Sequence, residues 1–409
     1  MQFNCTIDID ISSPKLDTLT ATFFQLSKNL LKVFFEQALL HFAESYLQEG
    51  KIACAQCKGK RFKWKTHSGK PTTLVLFLGI LNLNQLQIQC KNCGHKMYIT
   101  RLLLGVMPRK RIPDQTVKRL GLIGALTTYR VAQKIIGMFG VILDKMNIWR
   151  SVQNVGESIK FDLDPDEEEI AEADGTGIPI NGIQKRGKEL KVLVQLKKRG
   201  GVRVAGLSIG NYDSQWNKLF KPIVPTLKKF KHFLLITDGD TSILKGLGSK
   251  VKVHFQRCLW HIPHQLKWYL WKDKVKHKSG EWIRVLSELI SIVNTKSLQH
   301  DKECIANIVK SKEKQLDALI LLCKEKKWKH SSVYLENAKK DMFTALKNRL
   351  NGRTTSHAER VMRIVNMRIN VGKWSQKGAL NVNKIRLAHY YNGFDIEPTN
   401  RAKRISKKR

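Results

Sequence analysis

The hydrophobic and polar residues of this chain repeat at different periods, and the changes of period divide it into segments. Residues 17–49 repeat Leu, Phe and Ala at helical spacing, so we expect an N-terminal helical segment over 1–50 that contains a pair of amphipathic helices. Residues 51–104 alternate apolar and polar positions, as in LNLNQLQIQC, and predict β-strands. Helical spacing returns over 105–160. The acidic, proline-containing stretch FDLDPDEEEIAE then indicates a linker into a new domain.

Residues 161–393 show the order of elements of an RNase H-like fold. A strand that reaches Asp174 leads into KVLVQLKK and VRVAGLSIG, which flank a Gly-Gly pair and predict a hairpin. A helix over about 213–230, capped by Asp213, is followed by the strand HFLLITD, a short helix over 241–247 and the strand VKVHFQRC. Three antiparallel strands and two further strands, each reached across a helix, predict an α/β catalytic domain of RNase H type.

Residues 262–350 have a helical pattern and are rich in Lys and Trp. Because so long a stretch does not fit a loop inside a compact domain, we interpret it as a helical insertion. Its sequence HQLKWYLWKDKVKHK alternates basic and aromatic residues as strand-binding surfaces do, although tryptophans buried in amphipathic helices explain the pattern equally well. A last long helix is expected from about 356, and residues 394–409, which end in RAKRISKKR, predict a disordered basic tail.

The charge of the chain narrows the class of its partner. The 409 residues include 73 Lys and Arg against 34 Asp and Glu, a formal net charge of +39, and 42% are hydrophobic, enough to fill real cores. Basic residues spread along the whole chain favour nucleic acid over a membrane surface. No apolar run approaches the ~18 residues of a membrane span and no signal peptide is evident. We therefore expect a cytoplasmic, nucleoid-associated protein with no membrane partner.

Four of the eight cysteines form two pairs with metal-binding spacing. Cys54 and Cys57 form one C-x-x-C pair, Cys90 and Cys93 form the other, and residues 58–89 separate them. In an intracellular chain such pairs favour metal over disulfides, and four thiolates in a tetrahedral arrangement hold structural Zn²⁺. Since the separation exceeds the ~15–20 residues of a compact ribbon, we predict a zinc-ribbon-like domain with an enlarged β-excursion.

Other side chains near these pairs suggest additional roles. His95, in CGHK, is an alternative zinc ligand. Four lysines flank the pairs and suit contact with phosphate groups: Lys58, Lys60, Lys91 and Lys96. A zinc module that only supports dimerisation is the alternative to one that binds DNA.

Residues 105–160 predict a helix-turn-helix-like DNA-binding region. VAQKIIGMFGVILDKMNIWRSVQNV contains a short apolar helix, a glycine-containing break and a second helix that ends in Trp149-Arg150. Short breaks are expected in this region at its glycines, Gly121, Gly124, Gly137 and Gly140. Three helices that pack together without contacting DNA are the alternative.

Acidic residues at the ends of core strands stand out in so basic a chain. Asp174 lies in EADGTGIPI and Asp238 in LLITDGDTS, on the first and fourth strands, which are neighbours in an RNase H-like sheet. Glu359, in TTSHAERVMRIV, lies on a helix expected to pack across the same sheet edge. Adjacent carboxylates repel unless cations neutralise them, so the three predict a site for two Mg²⁺ or Mn²⁺ ions that supports phosphoryl transfer.

Each of these carboxylates also has a structural explanation. An Asp-Gly pair after a strand is ordinary turn chemistry, and the S-x-x-E sequence that ends in Glu359 fits a capping box. Asp240 is an alternative ligand to Asp238, although it fits the N-cap of the helix TSILKG better. Glu172 is an alternative to Asp174, two residues earlier on the same face of the strand.

Four motifs in order resemble the Mutator-like DDE transposases and their bacterial and archaeal insertion-sequence relatives. They are DGT on the first strand, ITDG, FQRCLWH with its C-x-x-H pair, and HAERVMRIVNMRI, and they cover about residues 170–390. The resemblance implies that Asp174, Asp238 and Glu359 are the catalytic residues. It also implies that Cys258 and His261 lie beside the active site and either support it or contact DNA. A buried thiol that closes the fifth strand beside a packed histidine is the alternative.

The resemblance further implies an activity and partners. An enzyme of this kind binds the terminal inverted repeats of its element, cuts the DNA and joins the freed 3′-hydroxyl to target DNA by transesterification. Pairing two DNA ends implies a homodimer or a larger assembly, and Arg360 and Arg363 are further candidates for DNA contact. The alternatives are a catalytically inactive, transposase-derived DNA-binding or regulatory protein and another RNase H-like nuclease.

Overall fold

The computed structural model describes residues 15–65, 71–77, 79–107, 109–183, 187–212, 214–248, 251–295, 302–350, 352 and 354–394. Asp213 and the basic tail beyond residue 394 lie outside these ranges. The chain divides into two compact units, with the boundary between Val155 and Gly156. Helices and strands occur in both, so the mixed α/β class is confirmed. Within the described ranges, no helix combines the length and the apolar character that crossing a membrane requires.

The described part of the first unit combines one long helix, short strands and four shorter helices. Its elements in chain order are α1 (Leu16–Gln48), β1 (Phe62–Lys65), β2 (Thr72–Leu76), β3 (Gly79–Leu83), β4 (Gln87–Cys90), β5 (Lys96–Tyr98), α2 (Thr100–Leu103), α3 (Asp114–Leu126), α4 (Tyr129–Met138) and α5 (Lys145–Ser158), whose last turn crosses the boundary.

The long helix α1 replaces the pair of helices that the sequence pattern predicts over 17–49. It runs unbroken for 33 residues because the sequence contains no proline or glycine between Leu16 and Gln48. Leu39 and Ala43, in its C-terminal half, are buried in one cluster with Leu81 and Leu83 of β3. The prediction of a helix break was therefore wrong, and a single helix packs against this side of the apolar cluster.

The cysteine-rich segment forms a three-stranded sheet and a separate hairpin. β4 is the central strand and pairs antiparallel with both β1 and β5. β2 and β3 pair only with each other among the described strands, and they form the excursion between the two C-x-x-C pairs. The enlarged β-excursion that the long separation predicts is thus confirmed.

The glycines of α3 allow close helix packing instead of breaking the helix. A Cβ at Gly124 would lie 2.6 Å from Cγ2 of Ile148, and one at Gly121 would lie 2.9 Å from Cγ2 of Val155. Both partners lie on α5, so the small residues of α3 let the two helices approach. The expected breaks at Gly121, Gly124 and Gly137 are absent, because all three lie inside helices; Gly140, with φ of +72°, follows the end of α4.

The second unit contains a five-stranded sheet with helices before, between and after its last strands. Its elements in chain order are β6 (Ile170–Ile178), β7 (Lys188–Leu196), β8 (Val202–Gly210), α6 (Asn217–Phe220), α7 (Val224–Leu227), β9 (Leu234–Thr237), α8 (Thr241–Leu247), β10 (His254–Arg257), α9 (His261–Lys272), α10 (Gly280–Val293), α11 (Lys302–Glu325), α12 (Lys329–Lys339), α13 (Thr344–Lys347), α14 (Ser356–Ile369) and α15 (Gln376–Tyr391).

The strands of this sheet are ordered β10-β9-β6-β7-β8. β6, β7 and β8 form an antiparallel meander, whereas β9 is parallel to both β6 and β10. The predicted hairpin between β7 and β8 is confirmed. The first and fourth strands of this sheet in chain order, β6 and β9, are neighbours, as predicted. The sheet has apolar clusters on both faces: Ala171 and Leu235 belong to one, while Ile170 and Ile236 belong to the other.

The segment before β9 differs from its predicted single helix. The structure has two short helices, α6 and α7, instead of one helix over 213–230. Pro222 and Pro225 explain the difference, because proline lacks the N–H that a helix interior requires and clashes with the preceding turn. α7 accommodates Pro225 in its first turn.

The acidic stretch before β6 is held against the sheet and does not form a free linker. The backbone N–H of Asp164 donates to Gln195 at 2.8 Å, and the Asp164 carboxylate forms an ion pair with Arg203. The Asp162 carboxylate accepts from Thr226 Oγ1 at 2.8 Å. The linker interpretation was wrong because these carboxylates have hydrogen-bond donors within their own unit.

The segment 262–350 is helical, as the sequence pattern predicts, and has its own apolar core. Buried residues of α9 to α13 form one cluster, which includes Leu266, Leu289, Leu316 and Leu335. The two tryptophans of HQLKWYLWKDKVKHK are not buried: Trp268 is 50% exposed and Trp271 is 69% exposed. The structure therefore decides against the interpretation in which ordinary core tryptophans explain this motif.

The C-terminal helical region consists of two helices and not the single long helix that the pattern predicts. α14 ends at Ile369 and α15 begins at Gln376. Gly372 adopts φ of +83° in the break, and Trp374 donates from its indole N–H to the Ile369 carbonyl at 2.9 Å. The chain turns here because Trp374 is anchored, its backbone N–H bonding to the Pro179 carbonyl.

Candidate active site

Asp174 lies on β6, on the face of the sheet that Ile170 shares by strand alternation. Burial, the largest influence, raises the pKa of Asp174 to about 6, and a hydrogen bond from the Gly175 N–H opposes this. The negative charges of Asp238 and Glu359 raise this pKa further, while His261 lowers it. The carboxyl group thus occupies a site where its own charge is unfavourable and where a cation would relieve the cost.

Asp238 follows β9 directly, on the strand next to Asp174. The parallel pairing sets Glu172 beside Ile236, so that two residues later Asp174 and Asp238 stand at the same level on adjacent strands. Gly239 then turns the chain with φ of +104°, and a Cβ there would lie 2.5 Å from the guanidinium of Arg257. The Asp238 carboxylate accepts only a local bond among its described contacts, from the Asp240 N–H at 3.0 Å.

Asp240 is the N-cap of α8, as its position in the sequence predicts. Its Oδ1 accepts from the Ser242 N–H at 2.8 Å, and its Oδ2 accepts from the Ser242 hydroxyl at 2.5 Å. Both carboxylate oxygens are therefore engaged by the first turn of the helix. This arrangement leaves Asp238 as the better candidate for a metal ligand.

Glu359 lies in the first turn of α14, but not in a capping box. The helix begins at Ser356, and its N-cap residue, Thr355, makes no side-chain cap hydrogen bond. A capping box would need Ser356 as the N-cap with Glu359 at the third helical position. The Glu359 carboxylate instead approaches His261, with 3.5 Å between Oε1 and Nε2. Its side chain is partly exposed and faces the other candidate groups.

Glu172 is not a rival ligand in this arrangement, because its carboxylate is already occupied. Its side chain is 2% exposed. Oε2 accepts from the backbone N–H groups of His357 at 2.9 Å and Ala358 at 2.8 Å, and Oε1 lies 2.8 Å from His357 Nδ1. The sequence places Glu172 on the correct face but does not reveal these donors, which come from a helix about 185 residues away in the chain.

The C-x-x-H pair lies between the end of β10 and the start of α14. The Cys258 thiol is fully buried and lies 3.3 Å from the Thr355 N–H and 3.4 Å from its hydroxyl. The same hydroxyl lies 3.4 Å from His261 Nδ1. Cys258 has no surface for contact with DNA, whereas His261 is half-buried and reaches Glu359.

Charge explains the unusual protonation behaviour of this pair. Burial acts to raise the pKa of Cys258, but hydrogen bonds with His261 and Thr355 outweigh it and lower the pKa. Burial likewise acts to lower the pKa of His261, but the Cys258 hydrogen bond and the charges of Asp238 and Glu359 raise it. An imidazolium is thereby favoured beside the carboxylates.

The three predicted catalytic carboxylates share one electrostatic environment without forming a tight cluster. Among the described residues, the four cysteines alone form a group of three or more candidate ligands with all ligand atoms within 4.8 Å. Asp174, Asp238 and Glu359 do not form such a group. A site for two ions about 3.5–4 Å apart spreads its ligands over a wider region than a single-ion site.

A cleft of about 1130 Å³ begins at Asp238 and extends along the helical insertion. Aromatic side chains of α9 and α12 face it, and Tyr269 stacks on Tyr334 at 4.5 Å between ring centroids. Lys272, outside the cleft lining, lies over the Trp268 ring, with Nζ 3.6 Å from the centroid. Residues lining the cleft include Asp238, Arg257, His264, Trp268, Lys329 and Lys340.

The four cysteines of the first unit converge as their spacing predicts. The sulfur atoms of Cys54 and Cys93 are 3.6 Å apart, and those of Cys57 and Cys90 are 3.5 Å apart. A hydrogen bond from the Cys57 N–H is the largest influence on Cys54 and, against burial, lowers its pKa to about 6. Four thiols at this separation, with a thiolate already favoured, can hold a metal such as zinc.

The two cysteine turns are built in the same way. The Lys58 N–H bonds to the Cys54 carbonyl and the Gly94 N–H bonds to the Cys90 carbonyl, each at 3.0 Å. Lys58 and Gly94 both adopt positive φ, +60° and +73°. His95 contributes its carbonyl to the Cys90 N–H at 2.9 Å, and its ring does not belong to the group of four ligands.

The residues that the sequence analysis predicts to contact DNA lie on the surface of their units. The four lysines beside the cysteine turns are exposed, as are two arginines on α14: Lys58, Lys60, Lys91, Lys96, Arg360 and Arg363. Trp149 and Arg150 are also exposed, but they lie in the first half of α5 and do not end it. The predicted end of that helix was wrong, because residues 151–155, SVQNV, contain no proline or glycine and the helix continues to Ser158.

No protein-family model matches this sequence, and no curated protein matches it either. The candidate site therefore stands on its residues and their geometry.

Proposed function

We propose that this chain is a DDE transposase with an RNase H-like catalytic domain, which cuts DNA and transfers strands in a Mg²⁺-dependent reaction. One observation carries the proposal: Asp174 and Asp238 stand at the same level on adjacent strands, and Glu359 approaches them from α14. Burial, and with it the charges of Asp238 and Glu359, raises the pKa of Asp174. Three carboxylates from two neighbouring strands and a distant helix repel one another there. Carboxylates are found this close together where divalent cations neutralise their charges, as at the sites of two-metal phosphoryl transfer.

The oxygen-rich donor set fits Mg²⁺, with Mn²⁺ as the usual substitute. When bound, the two ions supply the charge that stabilises an in-line displacement at phosphorus. Asp174, Asp238 and Glu359 would hold them where β9 ends beside β6, and His261, whose Nε2 lies 3.5 Å from Glu359 Oε1, would orient that carboxylate. The strand order β10-β9-β6-β7-β8 supports an RNase H-like assignment, because it puts the first and fourth strands together.

The other features of the chain suit DNA as the substrate. The net charge of +39 favours a polyanion. The cleft beside Asp238 has exposed Trp268 and lysines, which suit contact with a DNA strand. We propose that the first unit holds structural zinc in a ribbon-like module and, with α3 to α5, binds the ends of the element. Pairing two ends then requires at least two protomers.

The test uses duplexes taken from the DNA that flanks the reading frame, chosen for inverted repeats. The wild-type chain should cut them with Mg²⁺ or Mn²⁺ and join the 3′-hydroxyl to a target duplex. Asp238→Asn should abolish cutting while duplex affinity stays unchanged, because the substitution removes a ligand and no DNA contact. Asp240→Asn is the matched control and should still cut, since Asp240 caps α8.

Three outcomes would count against the proposal. No cutting of any end-containing duplex by the wild type would indicate a DNA-binding protein without activity. Cutting without strand transfer would indicate another nuclease. Retained cutting by Asp238→Asn together with loss in Asp240→Asn would move the metal site to Asp240.

A further inference from the structure

Glu172 is a buried carboxylate that is not one of the candidate metal ligands. It accepts three hydrogen bonds, two from backbone N–H groups and one at the His357 imidazole, all at 2.8–2.9 Å. A buried carboxylate without such partners is strongly unfavourable, so the three bonds make this contact a specific one. All of its partners lie at the start of α14, the helix that carries Glu359.

This contact replaces the missing cap of α14. The first N–H groups of a helix have no partner within it, and the helix dipole makes its N-terminus attractive to a negative charge. Thr355, the N-cap residue, makes no side-chain cap bond. Glu172 supplies the acceptor from β6, so a strand residue caps a helix that lies far away in the sequence.

A second contact holds the same end of the helix from the other side. Thr355 bonds through its N–H and hydroxyl to the buried Cys258 thiol, and its hydroxyl also lies near His261 Nδ1. The start of α14 is therefore held between β6 and the segment that follows β10. Both of these segments also carry, or lie beside, the candidate catalytic groups.

We propose that Glu172 and His357 form a positioning pair that docks the first turn of α14 on β6 and thereby sets Glu359 relative to Asp174. The connection is short on both sides. Asp174 lies two residues beyond Glu172 on the strand, and Glu359 lies one residue beyond Ala358 on the helix. Displacement of the helix end moves one ligand and leaves the others in place. This inference rests on the proposed function of the site.

The first experiment compares Glu172→Ala with the wild type in single-turnover cutting of end-containing duplex at saturating DNA. We expect the cutting rate to fall about 10–100-fold, because groups that orient metal ligands typically contribute this much. The dissociation constant for the duplex should not change, since Glu172 is buried. Mn²⁺ binding, measured by electron paramagnetic resonance without DNA, should weaken by a similar factor.

Conservative and matched variants separate positioning from general stability. Glu172→Gln should recover most of the rate, because its carbonyl oxygen can accept both backbone bonds and its amide can still contact the His357 ring. His357→Ala should have a smaller effect than Glu172→Ala, since both backbone bonds remain. Glu169→Ala is the control: this carboxylate accepts the His232 N–H at 2.7 Å near the start of the same strand, away from α14. It should cut at the wild-type rate.

Hydrogen exchange tests the contact without reference to activity. The amides of His357 and Ala358 should exchange faster in Glu172→Ala than in the wild type or in Glu169→Ala. If exchange rises there but cutting and Mn²⁺ affinity stay at wild-type values, the pair is only structural and the inference fails. If Glu172→Gln is folded yet as impaired as Glu172→Ala, the hydrogen-bonding argument fails. If the wild type shows no Mn²⁺ binding that Asp238→Asn removes, the proposed function fails instead.

Discussion

The Asp174 carboxyl group shows how a single residue can report on its site. Its pKa of about 6 is well above the value of about 3.9 that an aspartate has in an unfolded chain. The folded state therefore binds this proton more tightly. The stability from the protonated form is present below about pH 4 and is lost as the pH rises through about 6. At neutral pH the ionised group destabilises the fold unless a cation is bound.

Asp174→Asn should consequently stabilise the protein at pH 7.5 when no Mg²⁺ is added. The expected gain in the free energy of unfolding is about 1–3 kcal/mol, and it should nearly disappear close to pH 4. Urea denaturation at both pH values measures it. Added Mg²⁺ should stabilise the wild type and leave the variant unchanged. An equal gain at both pH values would show that charge is not its cause.

Residue types and spacing predicted the candidate ligands, but not the hydrogen bonds that the neighbouring residues make. Asp240 was correctly predicted as a cap from its place before TSILKG, since N-caps depend on local sequence. Glu359 fitted a capping box by sequence, yet α14 begins at Ser356 and Glu172 provides the cap. That difference depends on a strand–helix contact across the whole second unit, which no local pattern contains.

At the scale of elements, glycine and proline account for most of the differences between pattern and structure. Proline interrupts the helix predicted over 213–230, because its missing N–H acts locally. Glycine is ambiguous: it breaks a helix at Gly372 but allows close packing at Gly121 and Gly124. Only the neighbouring helix distinguishes these cases, because a local sequence does not show what faces a missing side chain.

Gly124→Ala tests the packing of α3 on α5. The added methyl would lie 2.6 Å from Cγ2 of Ile148, so we expect a loss of about 1–3 kcal/mol in the free energy of unfolding. Gly137→Ala is the matched control, because Gly137 lies inside α4 with no atom within 4 Å of its added Cβ. It should gain up to about 1 kcal/mol. Thermal denaturation of both variants measures the difference, and a stable Gly124→Ala would disprove the close approach.

At the scale of the whole molecule, two units of different character share one strongly basic chain. Charge of one sign opposes compaction, and a metal held by four thiolates can contribute folding free energy directly. The small sheet β1-β4-β5 buries few side chains, so we expect the cysteine group to stabilise it. The second unit has a larger apolar core on both faces of its sheet and does not need such a group.

Cys57→Ser should therefore lose zinc and lose binding to element ends. We expect the purified wild type to contain about one zinc per chain and the variant to contain markedly less, by atomic absorption. End-specific affinity should fall, while salt-sensitive binding to random duplex persists, because that binding depends on charge. Cys304→Ser, on α11, is the control and should keep its zinc. A variant that loses zinc but keeps end-specific affinity would separate the metal from DNA recognition.

The sequence by itself determined the features that depend on local spacing: the alternation of strands and helices, the helical character of residues 262–350 and the paired cysteines. It also singled out three widely separated acids as candidate ligands. These follow from backbone periodicity and side-chain chemistry, which act over a few residues. The tertiary structure decided which partners those residues have. It places Asp174 beside Asp238, caps the start of α14 with Glu172 and leaves Trp268 exposed. It also packs α3 against α5 at the glycines of α3. These features depend on residues far apart in the chain, because burial and charge do.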